Sequence, residues 1–201
     1  MIEVSLIDKM GSDLSVVNAA RVSFANKHEE FNDTKDTKLI KFLAKHGHWS
    51  PFAHCSVQFH IRTPLFVARQ LVKHQVGLSW NEVSRRYVDS EVEIYEPKEW
   101  RAKADNVKQG SAEEIVNINP RGDLVNQLLR QGVAPEMARM VLPQSMMTEW
   151  YWSGSVYAFA RVCNLRLDKT AQKETQWVAE EISTQIKPHF PISWKYLTEE
   201  A

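Results

Sequence analysis

The chain has 201 residues, 43% of them apolar and 25% charged, and its 25 basic and 25 acidic side chains cancel to a formal net charge of zero. That length suits one soluble globular domain, spanning 1–201, with a sizeable core. The charge balance argues against a bulk nucleic-acid binder, and the lack of a long apolar run argues against a membrane span. The N-terminus carries no signal-peptide pattern. Cys55 and Cys163 stand far apart with no Cys-x-x-Cys, so both thiols are expected reduced, in the cytoplasm.

Residues 2–8 read as a short apolar strand. Asp13 is placed to cap a helix through Val16, Val17 and Ala20. The next helix is expected to start near Asp36 or Thr37, with Leu39, Ile40, Phe42 and Leu43 on its apolar face and Gly47 at its end. Residues 55–62 alternate: Cys55, Val57, Phe59 and Ile61 point one way, Ser56, Gln58, His60 and Arg62 the other, which predicts a half-buried strand. Thr63-Pro64 opens a helix, with Thr63 accepting from free amides and Pro64 at the first helical position. Leu65, Phe66, Val67, Ala68, Leu71 and Val72 make that helix apolar, and it is expected to end between His74 and Gly77. A loop or short helical turn is expected over 78–90. Residues 96–121, charged, with two prolines and no clear period, read as a surface excursion. Helical patterns return at 123–131 and from Pro135 to Leu142, broken by Pro143, and residues 147–153 favour strand. Ser155 is placed to cap a helix ending near Arg166. Asp168 is placed to cap the last long helix, with Ala171, Val178, Ala179, Ile182 and Ile186 on one side.

Chemistry concentrates between Arg69 and Tyr87, where cations, a histidine, a carboxylate and a hydroxyl share nineteen positions. Gln70, Lys73 and His74 fall on one helix face at i, i+3 and i+4. Polar groups beside an apolar helix need partners, which an anionic ligand with hydrogen-bonding edges supplies. Ser84 has no Gly-x-Ser-x-Gly setting and no evident base, so with Arg85 and Arg86 it reads as a phosphate ligand rather than a nucleophile. Glu82 suits a ribose hydroxyl. The competing reading is a surface salt-bridge cluster. Arg139 and Arg166 each sit among apolar residues, so each calls for an anionic or carbonyl-rich partner, either an internal carboxylate or a ligand. His46, His48 and His54 invite a metal, but their spacing and the lack of nearby carboxylates favour a ligand-lining turn, so no metal is expected.

These blocks, from about Asn18 to about Trp177, resemble the flavin-dependent thymidylate synthases. The resemblance rests on Ala20-Arg21-Val22-Ser23-Phe24, His46-Gly47-His48-x-Ser50-Pro51-Phe52-x-His54, and Phe66-Val67-Ala68-Arg69-Gln70. It continues in Asn81-Glu82-x-Ser84-x-Arg86-Tyr87, Ala138-Arg139-x-Val141-Leu142-Pro143, and Asn164-Leu165-Arg166-Leu167-Asp168-x-x-Ala171-Gln172. It implies an α+β fold with a curved antiparallel sheet flanked by helices. It also implies a homotetramer holding FAD at subunit interfaces. The implied reaction is conversion of dUMP to dTMP, with methylenetetrahydrofolate as carbon donor and NADPH as reductant. By the same resemblance Gln70, Lys73, Glu82, Ser84, Arg85, Arg86, Arg139 and Arg166 line the dUMP site. Ser23, His48, Ser50, Lys73, His74, Gln75, Glu82, Ser155, Tyr157 and Arg161 face the flavin. Arg166 takes the catalytic role, hydrogen-bonding the uracil edge and stabilising charge that develops on it.

The chain departs from the family signature, Arg-His-Arg followed after seven residues by Ser. Here Lys73-His74-Gln75 is followed by eight residues before Ser84. Lys73 keeps one charge without a bidentate fork, Gln75 has none, and the additional residue fits the turn at Val76-Gly77-Leu78. Two other readings therefore stand beside the enzyme. One is a dUMP-binding protein of the same fold with weakened or lost flavin chemistry. The other is a single-strand nucleic-acid binder using Arg69, Lys73, Arg85, Arg86 and the tryptophans, which the zero net charge opposes.

Overall fold

The computed structural model describes residues 1–97, 100–101 and 123–199. Most of the 96–121 excursion lies outside the described residues. Period-two alternation builds the sheet. In β2 (Ser56–Pro64) Val57, Phe59 and Ile61 are buried, while Ser56, Gln58, His60 and Arg62 are only partly so. β4 (Met147–Ser155) pairs antiparallel with β2, setting Phe59 opposite Trp152 and Ile61 opposite Trp150. β1 (Glu3–Met10) adds to the far side of β2 and β3 (Leu78–Glu82) to the far side of β4, giving an antiparallel sheet of order β1-β2-β4-β3.

One face of this sheet carries the main core. Helices α1 (Asp13–Arg21), α2 (Asp33–Lys45), α7 (Val156–Arg166), α8 (Lys173–Ile186) and α9 (Pro191–Thr198) pack their apolar sides with it. Short helices α3 (Ser50–Ala53) and α4 (Leu65–Leu71) fill its ends. A smaller apolar cluster joins Leu65, Val92 and Met146 to α5 (Asp123–Arg130) and α6 (Pro135–Ala138). The fold is thus α+β, as the sequence predicts. Ser155 caps α7 by accepting from the Ala158 amide at 3.1 Å, and α7 ends at Arg166, again as predicted.

Several local expectations give way to tertiary partners. Leu78–Glu82 is a strand, not a loop. Its polar residues mask a period-two pattern that β4 completes, with Leu78 and Trp80 turned to the core. The approach is close: a Cβ on Gly154 would lie 2.5 Å from the Gly77 carbonyl oxygen, and Gly77 itself has φ +77°. Here only glycine fits without strain. Thr63 does not cap α4. It is the buried penultimate residue of β2, its hydroxyl donating to the Pro64 carbonyl, and α4 starts at Leu65 and stops at Leu71, short of His74. The helix from Pro135 closes after Ala138 into a 3-10 turn, Arg139–Val141, ahead of Pro143. Asp168 holds the Thr170 amide in an exposed turn, and Gln172 is the N-cap of α8.

Asp13 is the largest correction. Ser12 caps α1, while Asp13, almost fully buried, accepts from the Ile192 and Ser193 amides at 2.8 and 2.9 Å and so caps α9. A carboxylate bonded to free helix N-terminal amides also meets the positive end of the helix dipole. Asp13→Ala is expected to lower unfolding free energy by about 2 kcal/mol, read from the shift in denaturant midpoint, whereas Asp168→Ala stays near wild type.

Candidate active site

The core face of the sheet turns polar at one end. Leu78, Trp80 and Glu82 alternate onto one face of β3, and Thr148, Trp150 and Trp152 onto the facing side of β4. Trp80 stacks on Trp150 at 4.1 Å between ring centroids and meets Trp152 edge-on. Beyond this aromatic row the face opens into a cleft of about 490 Å³. Glu82, Ser84, Arg85 and Arg139 line it, together with Arg69, Gln144 and Thr148. Leu65, Val83, Met140, Leu142 and Met146 supply its apolar walls. Glu82 is fixed on both oxygens: Thr148 Oγ1 donates to one at 2.8 Å and Trp80 Nε1 to the other at 3.3 Å. Arg85 donates to the Ser90 carbonyl at 2.6 Å, and Arg139 Nε to the Glu136 carbonyl at 3.2 Å. Among the described residues neither guanidinium pairs with a carboxylate, and Arg139 is exposed rather than buried as its apolar neighbours predict. Arg86 turns away, pairing with Glu136 at 3.5 Å and lying over the Tyr87 ring.

A second group forms where the turn after α4 meets the end of α7. Arg166 donates from Nε to His74 Nε2 at 2.9 Å and from one terminal nitrogen to the Gln70 carbonyl, also at 2.9 Å. One edge of the fork is thereby anchored, and no other described residue takes the remaining N–H groups. The Gln70 amide is held by Gln172 and Thr175, so this side chain braces the arginine's surroundings and does not line the cleft. Burial, followed by the Arg166 and Arg161 charges, pushes His74 down to about 4. The ring is neutral at pH 7 and accepts at Nε2, so its proton sits on Nδ1. Lys73 and Gln75 are exposed on the same turn.

The third group lies between α1, the end of α2 and α3. Ser23, His48 and Ser50 line an open pocket of about 450 Å³ with Ala19, Ala20, Leu43, His46, Gly47, Trp49 and Pro51. Trp49 approaches Tyr157, near the start of α7, at 6.4 Å between centroids. Among the described residues, no group of three or more His, Cys, Asp and Glu is placed to hold a metal ion. Both cysteines are free and buried. Burial raises the Cys55 thiol to about 11 and raises Cys163 as well, so neither offers a thiolate at neutral pH.

One chain therefore presents the anticipated residues in three groups rather than one pocket. Sequence reasoning missed Thr148 and Gln144 and gave Arg69 no place in the cleft. For Thr148 a signal existed, since period two from Trp150 and Trp152 puts it on the core face. The family model described as thymidylate synthase complementing protein matches residues 5–192. A flavin-dependent thymidylate synthase of Thermus thermophilus is 38% identical over 95% of this chain and 73% of its own length. One from Thermotoga neapolitana is also 38% identical, over 96% of this chain and 88% of its own. The chain belongs to the flavin-dependent thymidylate synthase family. Among solved structures, a UMP/dUMP methylase, PolB of Streptomyces cacaoi, bound with 5-Br dUMP, superposes with a TM-score of 0.83. It is 29% identical, covering 98% of this chain and 94% of that one. The same methylase has also been solved with 5-Br UMP.

For this family member the state of His74 is a stability term. Its folded value, about 4, lies below the ordinary 6.5, so the unfolded chain binds the additional proton between those pH values. Stability is then full above pH 6.5 and declines as pH falls toward 4. Thermal melts across that window are expected to show a shallower pH dependence in His74→Gln, which retains an acceptor but does not titrate.

Proposed function

We propose that this protein methylates dUMP to dTMP, with methylenetetrahydrofolate as carbon donor, FAD as redox cofactor and NADPH as reductant. The observation that carries this reading is the cleft at the end of β3 and β4. It offers three guanidinium groups and the Ser84 hydroxyl to a phosphate, and a fixed carboxylate to a ribose, in a chain of this family. Charge-assisted, directional donors of this kind are what a nucleotide monophosphate demands. Ser84, Arg69, Arg85 and Arg139 bind the phosphate end and Glu82 a ribose hydroxyl, while Arg86, paired with Glu136, stays outside this cleft. Lys73 and Arg166 complete the dUMP site, with the Gln70 carbonyl bracing Arg166 rather than touching the nucleotide.

The pocket of Ser23, His48 and Ser50 fits a flavin by its donor set. These three side chains have no hydrogen-bond partner among the described residues, and aromatic Trp49 borders them. Lys73, His74, Gln75, Glu82, Ser155, Tyr157 and Arg161 would join them in holding it. When bound, the flavin supplies the redox chemistry of the reaction. The protein positions and stabilises. Arg166, anchored along one edge by His74 and the Gln70 carbonyl, directs its remaining N–H groups at the uracil and stabilises negative charge developing there. No cysteine nucleophile takes part, consistent with two buried thiols of raised pKa. The three groups converge if copies of the chain assemble as a homotetramer. Phe24, 82% exposed, and Met140, 71% exposed, are large apolar side chains that such contacts would cover. The free thiols suit a cytoplasmic location.

Purified protein is expected to show flavin absorbance and to form dTMP from dUMP only with NADPH and the folate present. Binding of dUMP without flavin or turnover would instead support a nucleotide-binding relative that has lost redox activity. Within the enzyme, Ser84→Ala is expected to raise the KM for dUMP about tenfold while leaving turnover at saturation. Arg166→Ala is expected to cut kcat about a hundredfold. Abolished chemistry with normal dUMP affinity in Ser84→Ala would restore the serine as a nucleophile.

A further inference from the structure

The cleft sets a carboxylate among cations, yet they do not pair. Glu82 shares its walls with Arg69, Arg85 and Arg139, and it forms no ion pair with any of them. Unrestrained, a glutamate in such company folds onto the nearest guanidinium, and each then cancels the other's use to a ligand. What holds Glu82 apart is visible on both of its oxygens. Thr148, 3% exposed, donates its hydroxyl proton to Oε1 at 2.8 Å, and Trp80, stacked on Trp150, donates its indole N–H to Oε2 at 3.3 Å. Both donors belong to the rigid core face of the sheet, so neither follows the carboxylate if it moves. Each oxygen retains a lone pair for a further donor.

We propose that Thr148 is a positioning residue for nucleotide binding, its hydroxyl holding Glu82 off the arginines so that they stay open to phosphate and the carboxylate stays open to a ribose hydroxyl. Trp80 is the second hand of the same clamp. The proposal rests on reading the cleft as the dUMP site. In Thr148→Val, of similar size without the hydroxyl, Glu82 swings to a guanidinium and competes with the phosphate. Such a variant loses affinity through Glu82 alone. A Thr148 that only fills space has no such dependence.

The test is dUMP binding to the full-length protein by calorimetry, with Thr148→Val made both in wild type and in Glu82→Gln, whose neutral amide has no charge to pair with arginine. Thr148→Val is expected to weaken dUMP binding about tenfold in wild type and less than about twofold in the Glu82→Gln background, with Thr148→Ser close to wild type. Trp80→Phe, which keeps the ring and removes the N–H, is expected to give a smaller loss that likewise vanishes with Glu82→Gln. It carries the test if Thr148→Val does not fold. Equal losses in both backgrounds, or no loss in either, overturn the clamp while leaving the cleft as a nucleotide site. Wild-type protein that takes up no dUMP overturns the reading of the cleft, and the clamp with it.

Discussion

Antiparallel pairing of β2 with β4 sets a register in which Phe59 faces Trp152 and Ile61 faces Trp150. Each of these side chains is essentially removed from water, worth about 2 kcal/mol or more apiece in apolar transfer. A slip of one residue would turn the whole row outward, so the register is strongly specified. The same row ends in Thr63, Thr148 and Glu82, where the core face becomes the floor of the cleft. Core and site are thus two stretches of one surface, and the energy that fixes the first also fixes the second.

Cations are managed in a consistent way around the site. Arg85 and Arg139 are oriented by carbonyl groups, and Arg166 by a neutral imidazole and a carbonyl. Partners of this kind steer a guanidinium without neutralising it. By contrast, Arg21 meets the buried Asp36 at 2.7 Å. Burial alone would raise the Asp36 carboxyl, but the Asn32 amide and Arg21 outweigh it and hold it below its ordinary value. That pair belongs to the scaffold behind the turn carrying Ser23, where full pairing is what a buried charge needs.

Membership of the flavin-dependent family also clarifies the cysteines. Methyl transfer to a pyrimidine carbon through an enzyme thiolate requires an accessible sulfur of low pKa. Cys55 donates to the Ser12 carbonyl and Cys163 to the Ala179 carbonyl, both deep in the core. Their chemistry is that of small apolar side chains. In the reading proposed above, the redox part of the reaction falls to a bound flavin and the electrostatic part to arginines.

Much of this was legible in the amino-acid sequence where the physics is local. Alternation in β2, the Ser155 cap of α7 and the motif blocks each need only neighbours a few positions away. Those blocks also fixed the family. The polar stretch from Arg69 to Tyr87 stood out in the sequence, but its division between a cleft and a separate arginine–histidine group did not. That division, the strand character of Leu78–Glu82, the transfer of the Asp13 cap to α9 and the grip of Thr148 on Glu82 were decided by tertiary structure. Asp13 reaches an amide 180 positions away and Thr148 a carboxylate 66 positions away. Hydrogen bonds and strand pairs at such separations leave no periodicity in the chain, because their partners are chosen by the packing of the sheet against its helices.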